Sequence, residues 1–132
     1  MVYNKIITNY PLACHNPQVY RTIMIEQQLL YQEDHDGDTP IACAGLRQYS
    51  ETDIEVKRVW VMPDYRRHHL GTELMNRLHE RAAELGYERT ILLTRELMVP
   101  AVKLYERMGY TRIPNYPPYD HLDNAICMVR PL

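Results

Sequence analysis

The chain is poor in cysteine, in net charge and in long apolar runs, and each shortage removes a class of protein. Its 132 residues hold three cysteines, Cys14, Cys43 and Cys127, which are scattered and form no C-x-x-C pair. That pattern excludes a disulfide framework and points to reduced, buried thiols in a cytosolic protein. A formal net charge of -2 leaves no basic excess of the kind a general nucleic-acid or membrane binder needs, so neither partner is expected. No signal-peptide pattern opens the chain, and no apolar run approaches the roughly 18 residues of a spanning helix. A cytoplasmic protein is the expectation. Glycine-rich nucleotide signatures are also missing: neither G-x-G-x-x-G nor G-x-x-x-x-G-K-[ST] occurs, which removes a dinucleotide turn and a P-loop.

What remains is a chain with 45% hydrophobic residues, enough for one core and too short for two ordinary ones, hence a single domain over residues 1–132. Val2 to Thr8 reads as a first strand. Asn16-Pro17 resembles an N-cap followed by proline at the first helical position, and Val19, Tyr20, Ile23, Met24 and Gln27 recur at helical spacing. Leu29-Leu30-Tyr31 changes the rhythm towards a strand. The acidic run Glu33 to Asp38 lies between two apolar runs, as a hairpin connection does. It is not a calcium loop, because counting from Asp34 the sixth and twelfth positions hold Thr39 and Gly45 rather than glycine and glutamate. Ile41 to Tyr49 and Ile54 to Met62 predict an antiparallel pair, with Ser50 to Asp53 as the turn and Pro63 as the stop. The apolar alternation changes phase between Ile54, Val56 and Val59, Val61, which places a β-bulge at Lys57-Arg58.

Leu70, Leu74, Met75, Leu78, Ala82 and Leu85 make the clearest helical stripe, closed by Gly86. Arg89 to Leu93 follows as a strand parallel to the one before the helix. A second helix starts near Pro100, carries Ala101, Val102, Leu104, Tyr105 and Met108, and stops at Gly109. Two final strands, around Tyr110 to Ile113 and Ala125 to Val129, are joined by the aromatic and acidic loop 115–123. The expected class is therefore α/β with a mixed sheet.

The stretch Val59 to Thr72 carries the chemistry. A strand delivers a turn into a helix start, where unpartnered backbone N–H groups and the positive end of the dipole can hold a phosphate. Gly71 lets a ligand approach, and Arg66 and Arg67 supply cations for charge-assisted bonds. His68 and His69 do not read as metal ligands, since neighbours on a helix do not share a face. No metal is expected.

The bulged strand, the turn of form Arg-x-x-x-x-Gly and the segment Leu104-Tyr105-Glu106-Arg107-Met108-Gly109-Tyr110 together resemble the GNAT superfamily of N-acetyltransferases. That family carries Arg or Gln, two residues, Gly, one residue, then Gly or Ala; here Arg66, His69 and Gly71 fill the three positions. The resemblance runs from Ile41 to Leu132 and implies a GNAT-like acyltransferase fold whose N-terminal part is shortened. It implies acetyl-CoA as co-substrate, with pyrophosphate on the turn formed by Arg66, Arg67, His68, His69, Leu70, Gly71 and Thr72, and pantetheine along Val59, Trp60 and Val61. Met98 stands where the family often has a cofactor-binding asparagine, and Leu93 where some members place a glutamate base.

Acetyl transfer to an amine requires an unprotonated nucleophile, stabilisation of an oxyanion and a proton for the departing thiolate. By the resemblance Tyr105 is the acid, although helical spacing alone makes it a core aromatic. Glu55, on the bulged strand, is the candidate base; its alternative role is an ordinary strand carboxylate paired with a neighbour. The oxyanion donor is expected to be backbone N–H near Val61. Loop 115–123 falls over the acceptor side, where its tyrosines with Asp120 and Asp123 suggest a small polar amine, ahead of a peptide N-terminus or lysine. A non-catalytic acyl-CoA-binding module is the alternative to an enzyme, and a homodimer is left open.

Overall fold

The computed structural model describes residues 20–26, 29–66 and 69–132. The expected strand at Val2 to Thr8 and the N-cap at Asn16-Pro17 lie outside the described residues, as do Gln27, Arg67 and His68. Seven strands form one sheet: β1 (Tyr20–Glu26), β2 (Leu29–Asp36), β3 (Thr39–Gln48), β4 (Asp53–Val61), β5 (Arg89–Arg95), β6 (Thr111–Ile113) and β7 (Ala125–Pro131). Helix α1 (Leu70–Glu84) joins β4 to β5, and α2 (Val99–Arg107) joins β5 to β6. The order across the sheet is β1-β2-β3-β4-β5-β7-β6, antiparallel except for the β4–β5 pair. This is the mixed α/β sheet expected from the sequence. Among the described residues no helix is long and apolar enough to cross a membrane.

The largest departure is at Tyr20–Glu26, read as helix and found as strand. Three of its seven residues, Thr22, Ile23 and Ile25, are β-branched, a composition that suits a pleated surface. Its backbone is satisfied by a ladder with β2 that runs without interruption from Tyr20↔His35 to Glu26↔Leu29. Over so short an apolar run, three- and four-residue spacing and alternation fit equally well, and pairing decides. A second departure follows. The acidic run is a hairpin turn only at Gly37-Asp38, whereas Glu33, Asp34 and His35 lie in β2 and are buried.

Burial of Glu33 and His35 changes their charge. Desolvation pushes the Glu33 carboxyl up to about 8 and lowers the His35 imidazole. Both groups are therefore neutral near pH 7, and their 3.6 Å approach is a contact between uncharged groups. On the opposite face of β2, Arg77 of α1 lies 3.5 Å from Asp34.

Helix α1 forms because its stripe Leu70, Leu74, Met75, Leu78 and Ala82 is buried against the sheet. Each large side chain contributes about 1.5–3 kcal/mol on burial, well above the differences in helix propensity along the segment. Gly86, at φ 90°, ends the helix as expected. Beneath it Thr90 donates to the Arg130 carbonyl (3.3 Å), so it accepts from the Tyr110 hydroxyl (2.8 Å). That hydroxyl in turn accepts from His79 Nε2–H at 2.7 Å. This buried chain holds His79 neutral, its pKa lowered to about 4, first by burial and then by Arg130. Cys43 and Cys127 are buried and form no disulfide, and the Cys43 thiol donates to Arg58 O at 3.6 Å.

Candidate functional site

Strand β4 bulges where the sequence phase slips. Against β3 the register runs Gly45↔Lys57 and then Cys43↔Trp60, so one extra residue enters β4, and Arg58 takes a left-handed φ of 55°. On the other side, pairing with β5 covers only Asp53↔Arg89 to Val56↔Leu92. Strand β4 continues to Val61 and β5 to Arg95, so beyond Val56 the two strands are no longer laddered to each other. The sheet splits there.

At the far end of the split, Pro63–Tyr65 makes a 3-10 turn and α1 begins at Leu70. His69 is the N-cap residue, at φ 61° and ψ 14°, and its side chain makes no capping bond. The first intrahelical bond joins Glu73 N–H to His69 O at 3.0 Å. The amides of Leu70, Gly71 and Thr72 thus precede any possible i−4 partner within the helix and receive no side-chain cap. A Cβ built on Gly71 would lie 3.5 Å from Leu104 Cδ2 and 3.8 Å from Val61 Cγ2. Both are ordinary contacts, so internal packing tolerates a methyl group, and the three elements β4, α1 and α2 meet at this point. Arg66 is exposed, and its Nε donates to Val61 O at 2.9 Å. That side chain ties the turn to the end of β4 and retains its terminal nitrogens for an anion.

The two candidate catalytic side chains occupy different environments. Tyr105 is buried in α2 against Tyr110, with ring centroids 5.7 Å apart, and burial pushes its phenol up to about 12. Glu55 is 1% exposed and bonded through both oxygens: Arg47 donates to Oε1 at 2.9 Å and the Tyr116 hydroxyl donates to Oε2 at 2.7 Å. Lys57 Nζ lies 3.8 Å from Oε1 and donates to the Tyr119 hydroxyl. Tyr49 donates to Pro117 O at 2.9 Å and packs edge-on to Tyr116 at 5.0 Å, which pins loop 115–123 onto this face. Burial first, then the bond to Glu55, pushes the Tyr116 phenol far up. Met98 is 55% exposed at the start of α2.

Arg47, Lys57, Tyr116 and Tyr119 thus form one cluster around Glu55, and the sequence reading singled out neither Arg47 nor the Lys57 side chain. The observed register pairs Arg47 with Glu55, one residue away from the Arg47–Val56 pairing that a turn at Ser50 to Asp53 implies.

This arrangement has counterparts. The acetyltransferase (GNAT) family model matches residues 2–110. The chain belongs to the GNAT acetyltransferase family. An uncharacterised N-acetyltransferase of Schizosaccharomyces pombe is 29% identical over 102 residues, 76% of this chain and 61% of that protein. An amino-acid acetyltransferase of Mannheimia succiniciproducens is 44% identical over 62 residues, 46% of this chain and 14% of that one. The chain therefore spans under two-thirds of each of these relatives. A GNAT family acetyltransferase from Elizabethkingia anophelis, solved with acetyl-CoA bound, superposes with a TM-score of 0.75 at 11% identity. That match covers 89% of this chain and all of the other. The fold of this GNAT chain is the family's fold.

Proposed function

We propose that this chain is an acetyl-CoA-dependent N-acetyltransferase that acetylates the primary amine of a small polar molecule by direct attack on the thioester. The observation that carries the proposal is the continuity of the split β4–β5 edge with an uncapped helix start. A cofactor with a pyrophosphate and an extended amide-bearing arm needs those two features in that order. The residues fit: the Leu70, Gly71 and Thr72 amides with Arg66 would hold the pyrophosphate, and the edge at Val59, Trp60 and Val61 would hold the arm. When bound, acetyl-CoA supplies an activated acetyl group.

The chain's own residues then orient the acceptor and move protons. Glu55, held in place by Arg47 and Tyr116, takes the proton that the amine loses as its bond to the acetyl carbon forms. Because both carboxylate oxygens are already bonded, the proton travels through Tyr116 or a water rather than by direct contact. Tyr105 would return a proton to the departing thiolate; burial keeps its phenol protonated at neutral pH, but the rise to about 12 also makes it a weaker acid than an ordinary tyrosine, so the shift itself opposes the transfer. Membership of the GNAT family supports this reading.

Release of free thiol from acetyl-CoA in the presence of a panel of amines tests it. Turnover with at least one small amine is expected. Absence of turnover with small amines and peptides, together with a melting temperature raised by acetyl-CoA, would refute the enzyme reading and leave a binding module.

A further inference from the structure

We infer that the acceptor is an amine that also carries a carboxylate, of the α-amino-acid type, and that Arg47 and Lys57 bind this anion beside the split strand. The inference deepens the N-acetyltransferase reading and rests on it. It starts from the charge cluster on β3 and β4. Arg47 and Lys57 surround a single carboxylate, Glu55, which is 1% exposed, while the Arg47 and Lys57 side chains are 44% and 25% exposed. The buried layer is negative and the accessible layer is positive, a net single positive charge for the three groups.

The cluster has donors to spare. Arg47 gives one nitrogen to Glu55 and also interacts with Tyr119, and the rest of its planar fork can grip a second carboxylate. Lys57 has three N–H groups and donates one to the Tyr119 hydroxyl. Lys57 is also the last residue of β4 before the bulge, immediately beyond the end of its ladder with β5 at Val56. An anion bound there lies next to the place where an acyl group at the tip of an extended arm would end.

The loop argues in the same direction. Its tyrosines were candidates to attract a substrate ammonium, but the protein's own Lys57 already bonds the Tyr119 hydroxyl. Asp120 is turned to His121 at 3.7 Å, and among the described residues neither Asp120 nor Asp123 reaches the cluster. A purely cationic amine would meet the positive charge of Arg47 and Lys57. An amine with a carboxylate has a partner for each end: the anion at Arg47 and Lys57, and the nitrogen at the Tyr116 hydroxyl, which bonds Glu55 behind it.

The test compares L-amino acids with the corresponding L-amino-acid amides, which keep the amine and lose the anion. In the thiol-release assay kcat/KM is expected to be at least tenfold higher for the acids, chiefly through KM. Lys57→Gln, which leaves the Arg47–Glu55 bond in place, should reduce that preference to about threefold or less while turnover of the amides persists. Equal or better use of the amides by the unaltered protein overturns the inference, even though the transferase reading would stand. Where no acceptor turns over, calorimetric titration of N-acetyl-L-amino acids and their amides in the presence of CoA decides the matter independently. Tighter binding of the acids supports an anion site, and equal binding removes it. Arg47→Lys, folded as judged by circular dichroism, should weaken acid binding more than amide binding, because the amide keeps only the nitrogen contact that Arg47 supports indirectly through Glu55.

Discussion

The turn before α1 contains the chain's most testable anomaly. His69 holds a left-handed backbone, φ 61° and ψ 14°, in the position that the family pattern gives to glycine. For an L-residue that conformation costs about 1–2 kcal/mol, and glycine adopts it without that cost. The imidazole recovers nothing visible, since it is exposed and makes no capping bond. His69→Gly should therefore relieve the strain while adding about 0.5–1 kcal/mol of unfolded-state entropy. The expected net gain is about 0.5–1 kcal/mol, a rise in melting temperature of about 2–4 °C for a domain of this size. His69→Ala separates the causes: it removes the ring and keeps the strain, so its melting temperature should stay at or below that of the parent. Differential scanning calorimetry of the three proteins without ligand is the assay. A glycine variant that melts with or below the alanine variant would refute the reasoning, because the strain would then be absent or compensated by the imidazole.

Three further predictions concern buried groups. Tyr105→Phe should lower kcat at least tenfold with acetyl-CoA affinity nearly intact; unchanged turnover would assign the side chain to packing against Tyr110 alone. Glu33 is neutral when folded, with its pKa raised to about 8, so its contribution to stability is complete below about 4.5 and is lost as pH rises through 8. Glu33→Gln should thus be close to the parent in urea denaturation at pH 4.5 and more stable at pH 8.5, by an upper limit of about 4 kcal/mol; equal destabilisation at both pH values would contradict this. His79 has the opposite sign: with a folded pKa lowered to about 4, the unfolded chain binds the extra proton, and stability falls as pH drops from 6.5 towards 4. A neutral replacement, His79→Gln, should flatten that slope by up to about 3 kcal/mol over the window, and an unchanged slope would show that the imidazole is accessible to protons.

The parts of the fold that the sequence announces are those where several local signals agree. At β4 the alternation, the phase slip at Lys57-Arg58 and the stop at Pro63 all describe one object, and the observed register repeats them. In α1 a single apolar stripe and Gly86 fix both the face and the end. The opening segment differs because Tyr20–Glu26 is too short for its apolar spacing to discriminate, and its strand state comes from a partner, β2, that local sequence does not reveal. The same limit applies to Glu33. An acidic run reads as solvated turn, and only the sheet on which it lies turns two of its carboxyls inward. The site was half legible for a related reason. Glu55 and Tyr105 could be picked out by position, but whether a carboxylate is exposed or held between Arg47 and Tyr116 depends on groups at separations of 8 and 61 residues.

The strained backbone of this chain is distributed in a way that bears on the site as a whole. Among the described residues three that are not glycine have positive φ: Arg58 at 55°, His69 at 61° and Asn124 at 59°. Arg58 sits in the bulge, His69 caps the helix start, and Asn124 ends the loop that pins Tyr116 on Glu55 before β7 begins. All three border the split between β4 and β5 or the cluster beside it, and none lies within the buried apolar core. Asparagine tolerates the left-handed region, whereas arginine and histidine do so at a cost of order 1 kcal/mol each. Packing of the α1 stripe is more than sufficient to offset that cost. The core therefore tolerates strained junctions at its edge, and these junctions part the strands, expose the helix amides and close the aromatic loop. A chain selected only for stability would place glycine at 58 and 69. Arg58 and His69 mark the two ends of the stretch on which the proposed cofactor site rests.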